Sequence, residues 1–497
     1  MQTMSVIADA SITKFGKSQK GLLQLASDAA RPIIERHNAV FGDRDASERI
    51  RMVVANSYGA EFNGISGVHL QIARAIGLEG ILSERADNIS ASGATALHRA
   101  DILIKSGEAD MVLVVGAEKM THMPSTKDIT TAISTLLFEE ERAAGLTLPS
   151  LAGMMATACI SEFGLSREDI ANVAVQNRFN GSLNPNSFHY AKGAVTLEQV
   201  MQSRVIVSPL RLFEFCPNAD GAAALLVVSD RIAAEFTDKP VFVRGIGMGA
   251  DSALISSRSN FTSMPSVTQA AMRAYSKAGI GPKGIDVFEA HDMASILQPM
   301  QMIAAGILDA REAWTAATEG RTAIGGDIPV NTSGGLISCG HPIAVSGLKQ
   351  AVEGFLQIRR EAGERQAGKA DTFAFASLGG FANSVIFTIL SNDGTTGNGR
   401  PIVFDQTVSY PANGSLNGSV NDIGEGVDRI KGRVITTTDS YATANGQPGQ
   451  TRIVAVELAS GAKVIARGEL KQKRVNVGDE VTVGRARKDG VPKLLRD

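Results

Sequence analysis

The chain is poor in the residues that mark several large classes of protein. Of its 497 residues only 5% are aromatic, and the formal net charge is -2. Few aromatics and a balanced charge argue against a surface that stacks bases or attracts a phosphate backbone, so nucleic-acid binding is disfavoured. The only cysteines, Cys159, Cys216 and Cys339, form no CxxC pair. This spacing argues against a disulfide framework and predicts no metal site of the structural zinc kind.

Targeting and membrane signals are also missing. The chain has no run of roughly 18 apolar residues, and Met1 to Lys17 lacks the basic flank and apolar stretch of a signal peptide. The end at Leu494 to Asp497 differs from a peroxisomal Ser-Lys-Leu address. We therefore expect a cytoplasmic protein without membrane contact. Its 51 glycines and 44% hydrophobic residues suit a globular protein with closely packed helices and strands.

Apolar strands alternate with helical patterns in two sets, which predicts an α/β fold with a mostly parallel sheet covered by helices. The first set runs from the strand at Ser5–Ala8 to the strand at Met111–Gly116. The second runs from Val241–Arg244 to Thr372–Ala376. Because the two sets correspond in content, we interpret them as a divergent internal repeat of two similar halves.

Composition divides the chain into four units. These are an N-terminal half (1–118 and 213–236), an inserted loop domain that is richer in charge (119–212), a C-terminal half (237–390) and a small all-β, barrel-like domain (400–497). The Asn/Gly/Thr-rich segment Ser391 to Arg400 is interpreted as a linker. Short strands separated by turn residues predict the barrel-like domain.

Four motifs occur in an order that resembles the thiolase superfamily. They are Asn88-Ile89-Ser90-Ala91-Ser92-Gly93, Glu289-Ala290-His291-Asp292, Gly340-His341-Pro342 and Ser377-Leu378-Gly379-Gly380. The His-Asp pair of the second motif is similar to that of sterol-carrier-type thiolases. The resemblance covers about residues 1 to 390. It implies the thiolase fold, in which two similar α/β halves stack into five layers.

The resemblance also implies partners and a role in lipid metabolism. In the family the inserted domain binds coenzyme A or an acyl-CoA as a ligand, without a permanently bound cofactor. Basic residues that would meet its phosphates are Arg178, His189, Lys192, Arg204 and Arg211. A homodimer through the half that carries Ser90 is implied as well. The domain after residue 400 resembles the OB-fold partners of archaeal thiolases, without the cysteines of their zinc ribbon.

Serine stands at position 90, where the family keeps its nucleophilic cysteine. A hydroxyl ionises far less readily than a thiol of pKa about 8.5, so Ser90 needs a base. The resemblance places that base at His341 and an oxyanion-hole donor at His291. Met293 and Ser377 occupy the two family positions of a second cysteine. Neither side chain shuttles an α-proton near neutral pH.

Two hypotheses of different class follow. In the first, the protein is an enzyme, an acyl-CoA-dependent acyltransferase or thioester hydrolase that uses Ser90. In the second, it is a scaffold that holds coenzyme A without turnover. Neither predicts ordinary Claisen condensation, because the second acid/base is lost and Ala344-Val345 replaces the usual Gly-Ala. A third hypothesis, nucleic-acid binding through the β domain, is the weakest because a basic aromatic face is missing.

Overall fold

A computed structural model of the protein describes residues 3–41, 50–258, 260–397, 430–440, 451–458, 461–469, 475–485 and 491–495. The predicted start of the β domain at residue 400 lies outside the described residues. Within the described ranges, no helix combines the length and the apolar character that crossing a membrane requires.

The strands are β1 (Ser5–Ile12), β2 (Ile50–Ala55), β3 (Leu82–Ala86), β4 (Met111–Glu118), β5 (Val205–Val207), β6 (Leu210–Arg211), β7 (Gly221–Ser229), β8 (Val241–Ala250), β9 (Val287–Glu289), β10 (Thr372–Gly379), β11 (Ser384–Ser391), β12 (Ile430–Ser440), β13 (Thr451–Leu458), β14 (Lys463–Glu469), β15 (Glu480–Arg485) and β16 (Pro492–Leu494).

The helices are α1 (Leu22–Arg36), α2 (Asn38–Phe41), α3 (Gly59–Asn63), α4 (Val68–Ala75), α5 (Ser92–Ser106), α6 (Thr126–Ser134), α7 (Glu139–Ala143), α8 (Leu148–Phe163), α9 (Arg167–Ser182), α10 (Leu197–Gln202), α11 (Pro265–Ala278), α12 (Leu297–Ala304), α13 (Ala310–Thr315), α14 (Gly335–Cys339) and α15 (Ser346–Arg359).

One sheet of nine strands runs through both halves in the order β3-β2-β4-β7-β1-β8-β11-β10-β9. Strand β2 pairs parallel with β3 and β4, and β9 pairs parallel with β10. The neighbours from β4 through β7, β1, β8 and β11 to β10 are antiparallel. The prediction of a mostly parallel sheet is therefore wrong. The sheet is mixed, because β7 and β11 return antiparallel beside β4 and β10.

Helices form the other layers of the two halves. The central helices α5 and α15 contact each other and lie between the strands of the two halves, while α1 and α11 cover the outer faces. The central contact is very close. A Cβ on Gly93 would lie 2.6 Å from the backbone nitrogen of Leu348, and one on Gly347 would lie 2.4 Å from that of Ala94. This arrangement confirms the predicted fold of stacked layers.

The described strands after residue 430 form a small closed barrel. The order is β13-β14-β16-β15-β12, and pairing of β12 with β13 closes it. This confirms the predicted barrel-like domain. Strand β12 also pairs with β5 through Ser440 and Val207, which joins the barrel to the β5–β6 hairpin of the inserted domain.

The barrel packs against helix α8 of the inserted domain. The hydroxyl of Thr436 donates to the carbonyl of Met154 at 2.6 Å, and that of Thr438 donates to the carbonyl of Ser208 at 2.6 Å. Barrel residues such as Ile453 belong to the same apolar cluster as the buried face of α8. The barrel therefore packs one face against the inserted domain, while its interior residues form a separate apolar cluster.

Replacing Gly153 of α8 with alanine should lower the stability of this contact. The added Cβ would lie 2.6 Å from both Thr438 Oγ1 and Val207 Cγ1. In an open helix the same change gains roughly 0.5–1 kcal/mol, whereas overpacking a filled site costs about 1–3 kcal/mol. Thermal unfolding should show a lower Tm for Gly153→Ala and no change for Ser161→Ala, an exposed position on the same helix. A raised Tm for Gly153→Ala would contradict the close packing.

Candidate active site

A tight turn between β3 and α5 presents Ser90. The residue before it, Ile89, has φ 51°, a left-handed conformation that is costly for a β-branched residue. Hydrogen bonds hold the turn. The Ser57 hydroxyl is bonded to the Ile89 carbonyl at 3.0 Å, and Asp87 Oδ1 accepts the Ile89 N–H at 3.2 Å. The turn therefore fixes Ser90 just before the central helix α5, where the residue is 6% exposed.

The structure brings Ser90 and His341 into contact across the two halves. Ser90 Oγ lies 3.2 Å from His341 Nε2, and His341 Nδ1 lies 2.7 Å from Ser346 Oγ. With its hydrogen on Nδ1, His341 donates to Ser346 and keeps the Nε2 lone pair for the Ser90 hydroxyl. In this tautomer Ser90, His341 and Ser346 form one continuous chain of hydrogen bonds. Sequence reasoning missed Ser346, the first residue of α15.

The segment before β7 holds the backbone of His341. The N–H of His341 donates to the carbonyl of Pro217 at 3.0 Å, and Asn218 forms a parallel bridge with His341. Gly340 has φ 90°, and a Cβ there would lie 2.7 Å from the Cβ of Ala219. Only glycine therefore fits this close approach without strain.

His291 lies beside His341 in the interior. Its ring is 5.1 Å from that of His341, at an interplanar angle of 84°. Gln301 clamps the His291 backbone, since Oε1 accepts its N–H at 2.8 Å and Nε2 donates to its carbonyl at 3.0 Å. The residue is 1% exposed, and its Nδ1 has no hydrogen-bond partner within the described part of the chain. A buried nitrogen without a hydrogen-bond partner lowers the stability of the folded protein, unless an atom of a bound ligand supplies the missing hydrogen bond. The oxyanion role of His291 stays a prediction.

Burial and a nearby buried ion pair together lower the pKa values of the two histidines. Lys349 Nζ lies 2.8 Å from Glu289 Oε2, with side chains 3% and 0% exposed. Burial, and then the charge on Lys349, lowers the pKa of His341 to about 3. Burial, followed by the proximity of His341 and the charge on Lys349, holds the pKa of His291 well below its usual value. Both imidazoles are therefore neutral near pH 7.

A buried carboxyl is bonded to the helix that precedes His341. Asp292 accepts the N–H of Leu336 at 2.6 Å and a hydrogen from Asn177 Nδ2 at 2.7 Å. The first of these bonds ties the carboxyl to helix α14, which leads into His341. Burial raises the pKa of Asp292 to about 7.

A second buried carboxyl, Glu118, joins the loop after β2, which contacts the Ser90 turn, to the turn that follows His341. It accepts the N–H of Ser57 at 3.3 Å and the N–H of Ala344 at 3.2 Å. Burial raises the pKa of Glu118 to about 7. Ala344 and Val345 are fully buried in a single helical turn at this point. Sequence reasoning missed Glu118, because no local motif marks its contact with a residue so distant in the chain.

The two positions of the missing second cysteine lie near the site without offering a proton carrier. The Ser377 hydroxyl is buried and donates to Gln350 Oε1 at 2.9 Å, so its hydrogen is already engaged. The end of the same strand, at Gly379, lies against Asn88 of the Ser90 turn. Met293 is buried, and its carbonyl accepts a backbone N–H. A thioether carries no proton.

Two of the predicted coenzyme A contacts are buried. The Arg178 guanidinium lies 4.8 Å from the ring centre of Phe213, and its Nε has no hydrogen-bond partner among the described residues. Burial lowers its pKa to about 10. His189 Nδ1 lies 3.0 Å from the carbonyl of Ser338. Burial, followed by the charge on Arg178, lowers the pKa of His189 to about 4.

The other three predicted contacts lie nearer the surface. Lys192 is exposed, with Nζ 4.6 Å from the ring centre of Phe188, and its charge reaches His189. Arg204 is exposed, whereas Arg211 is half-buried and donates to a backbone carbonyl at 2.7 Å. The structure therefore groups Lys192 with Arg178 and His189 and places Arg204 and Arg211 at the β5–β6 hairpin. Within the described ranges no cluster of three or more His, Cys, Asp or Glu is suited to a metal.

The two α/β halves with paired central helices, and the contact of Ser90 with His341 where those helices begin, agree with the resemblance to the thiolase superfamily. The family description "Thiolase, N-terminal domain" matches residues 5–231, and "Thiolase C-terminal domain-like" matches residues 247–392. The chain belongs to the thiolase family.

Two relatives illustrate which known proteins are similar to this chain in sequence. The acetyl-CoA acetyltransferase of Methanothermobacter thermautotrophicus is 36% identical over 393 residues, which cover 79% of this chain and 100% of the relative. Human sterol carrier protein 2 is 29% identical over 344 residues, which cover 64% of this chain and 60% of the relative. These similarities confirm the predicted kinship with sterol-carrier-type thiolases.

Two solved structures share the fold. The Ltp2-ChsH2(DUF35) aldolase has a TM-score of 0.65 and 25% identity, and the match covers 78% of this chain and 97% of that one. A monomeric SCP2-thiolase like protein type 1 from Mycobacterium smegmatis has a TM-score of 0.73 and 18% identity and covers 99% of both chains. The second match includes the C-terminal barrel.

Proposed function

We propose that this protein binds acyl-CoA and transfers the acyl group through Ser90, without the carbon–carbon bond chemistry of a condensing thiolase. The observation that carries the proposal is the 3.2 Å contact of Ser90 Oγ with His341 Nε2, oriented by the 2.7 Å contact of Nδ1 with Ser346. The acetyl-CoA acetyltransferases among the relatives support an acyl-CoA as the ligand.

The proposed reaction has two steps, acylation of Ser90 and release of the acyl group. Ser90 Oγ attacks the thioester carbonyl while His341 Nε2 accepts the hydroxyl proton. The carbon–sulfur bond then breaks, and the departing coenzyme A thiolate receives that proton from His341. His291 and backbone N–H groups would stabilise the oxyanion. Water or another acceptor then attacks acyl-Ser90, with His341 again taking the proton and returning it to Ser90.

The ligand would lie along the inserted domain. Arg178, whose Nε has no hydrogen-bond partner among the described residues, and exposed Lys192 supply positive charge near His189. Arg204 and Arg211 supply more at the hairpin. Charge-assisted hydrogen bonds from such groups suit the phosphates of coenzyme A. Cytoplasmic location and a homodimer remain predictions.

The second candidate function is a scaffold that holds coenzyme A without turnover. The low pKa of His341, about 3, favours it, because a weakly basic imidazole is a poor partner for a hydroxyl. Met293 and Ser377 stand at the two positions where the family has a second cysteine. The absence of a thiol at both is also expected of a site that no longer catalyses a reaction.

Coenzyme A should bind with a measurable heat and a rise in Tm. Lys192→Glu should weaken binding, whereas the same charge change at Lys283, exposed in the C-terminal half, should have little effect. Calorimetric titration to millimolar coenzyme A provides the measurement. No heat and no rise in Tm would contradict both candidate functions.

Acetoacetyl-CoA cleavage by coenzyme A should be nearly absent. The reaction needs a second acid/base, and neither Met293 nor Ser377 supplies one. Turnover should fall well below the usual enzyme range of roughly 1–1000 per second. Cleavage within that range would show that another group handles the α-proton.

A further inference from the structure

Arg178 of helix α9 is a buried cation without an acidic partner. The residue is 5% exposed, and its Nε has no hydrogen-bond partner among the described residues. Burial alone lowers its pKa to about 10. A nearby carboxylate would act on that pKa in the opposite direction. The part of the chain that the structure describes therefore supplies no negative charge to offset the burial of this guanidinium.

The other buried arginines of the described ranges are arranged differently. Each lies close to a carboxylate: Arg365 is 3.0 Å from Glu353, Arg452 is 2.7 Å from Asp439 and Arg258 is 3.9 Å from Asp251. All three are buried as deeply as Arg178. Because an unpaired charge at this depth lowers stability, its presence indicates that a bound ligand supplies the missing anion.

Two further basic side chains converge on the same place. Burial, followed by the charges on Arg178 and Lys192, lowers the pKa of His189 to about 4. Lys192 is exposed, and its Nζ lies 4.6 Å from the ring centre of Phe188, whose ring is 4.9 Å from that of His189. Arg178, His189 and Lys192, named here the basic cluster, therefore combine two permanent positive charges with an imidazole.

The basic cluster is joined to the segment that leads into His341. The N–H of His189 donates to the carbonyl of Ser338 at 3.2 Å, and His189 Nδ1 lies 3.0 Å from the same oxygen. The N–H of Phe188 donates to the carbonyl of Cys339 at 3.2 Å. An anion bound by the cluster is therefore held next to the end of α14, close in the chain to the proposed base.

We propose that the basic cluster is a binding site for a phosphate monoester. Such a group carries about two negative charges at neutral pH, which balance the charges of Arg178 and Lys192. A guanidinium offers forked donors to phosphate oxygens, and an ammonium adds a further charge-assisted hydrogen bond. The phosphate belongs either to the 3′-phosphate of coenzyme A or to a separate phosphate ester. The first source rests on the proposed function, whereas the site itself does not.

Thermal unfolding of the full-length protein in chloride buffer tests the site, with inorganic phosphate as the probe. Millimolar phosphate at constant ionic strength should raise the Tm of wild type, because a ligand that binds only the folded state stabilises it. Arg178→Met should weaken phosphate binding about tenfold or more, the effect of losing a charge-assisted hydrogen bond. Arg74→Met, at an exposed arginine of helix α4, should leave the wild-type response unchanged.

The phosphate-free protein provides a second readout. Arg178→Met should raise its Tm, because the variant no longer buries an unpaired charge. Arg365→Met should lower the Tm, because Glu353 then stays buried without its partner. Lys192→Met changes an exposed side chain, so it should keep the wild-type fold while weakening the phosphate response.

Calorimetric titration with coenzyme A and with dephospho-coenzyme A, which lacks only the 3′-phosphate, identifies the source of the phosphate. If coenzyme A supplies it, wild type binds coenzyme A about tenfold or more tightly than the dephospho form, and Arg178→Met removes the difference. Equal affinities with an intact phosphate response assign the site to a separate phosphate ester.

Two results would overturn the inference. One is an equal phosphate response in wild type, Arg178→Met and Lys192→Met. The other is a loss of Tm in Arg178→Met as large as that in Arg365→Met, which would show that Arg178 is structural. If coenzyme A gives no heat while phosphate still stabilises the protein through Arg178, the proposed function fails and the phosphate site stands.

Discussion

Ser90→Cys should accelerate acyl-enzyme formation with acetyl-CoA by about two orders of magnitude or more. A thiol with a pKa of about 8.5 ionises far more readily than a hydroxyl and is the stronger nucleophile. The variant places it where Ser90 Oγ already lies 3.2 Å from His341 Nε2. Rapid quenching and intact-protein mass spectrometry measure the rate.

The same substitution should leave condensation absent, because Met293 and Ser377 still provide no second proton shuttle. The triple variant Ser90→Cys, Met293→Cys and Ser377→Cys tests whether these groups alone are missing. Ser90→Ala is the control without a nucleophile. If Ser90→Cys stays unacylated while coenzyme A still binds, the surroundings of residue 90 have lost the required geometry at Ala344 and Val345. This result would favour the scaffold hypothesis over the enzyme hypothesis.

Lys349→Met should lower the free energy of unfolding by about 3–5 kcal/mol. The substitution leaves the Glu289 carboxylate buried at 0% exposure without its 2.8 Å partner. The free energy lost by leaving the Glu289 charge buried without a partner exceeds the free energy gained because the lysine charge is no longer buried. Because the Lys349 charge also depresses the pKa of His341, that pKa should rise in the variant. Denaturant unfolding measures the first effect and NMR titration the second.

An exposed ion pair provides the matched control. Lys239 and Glu361 are 56% and 38% exposed and lie 3.9 Å apart. Lys239→Met should change stability by less than about 1 kcal/mol, since solvent screens such a pair. Glu289→Gln combined with Lys349→Met should recover much of the loss. Equal effects of Lys349→Met and Lys239→Met would contradict a structural role for the buried pair.

Local patterns account for most of what was predictable in the fold. The strand at Ser5 and the helix at Ser92 begin where predicted, because apolar periodicity and small-residue runs are properties of neighbouring residues. The direction of β7 and β11 was not predictable in this way. Strand direction depends on which distant strand each one joins, as with the pairing of Ser5 and Ser229 in β1 and β7.

The residues of the site also divide into those that a sequence motif predicts and those that it does not. Ser90, His291 and His341 stand in short motifs, and the structure places all three together. Ser346 and Glu118 carry no motif of their own. The bond from Ala344 to Glu118 spans 226 residues of chain, so only the folded structure shows it.

The measurement that tests the central claim most directly is acylation of the unmodified protein. Wild type, Ser90→Ala and His341→Ala are incubated with acetyl-CoA, quenched in acid and mapped by peptide mass spectrometry. The account predicts an acetyl group on Ser90 in wild type, with no such adduct in Ser90→Ala and much less in His341→Ala. An unmodified Ser90 in wild-type protein that has bound the ligand would contradict it. The chain would then be a coenzyme A-binding scaffold.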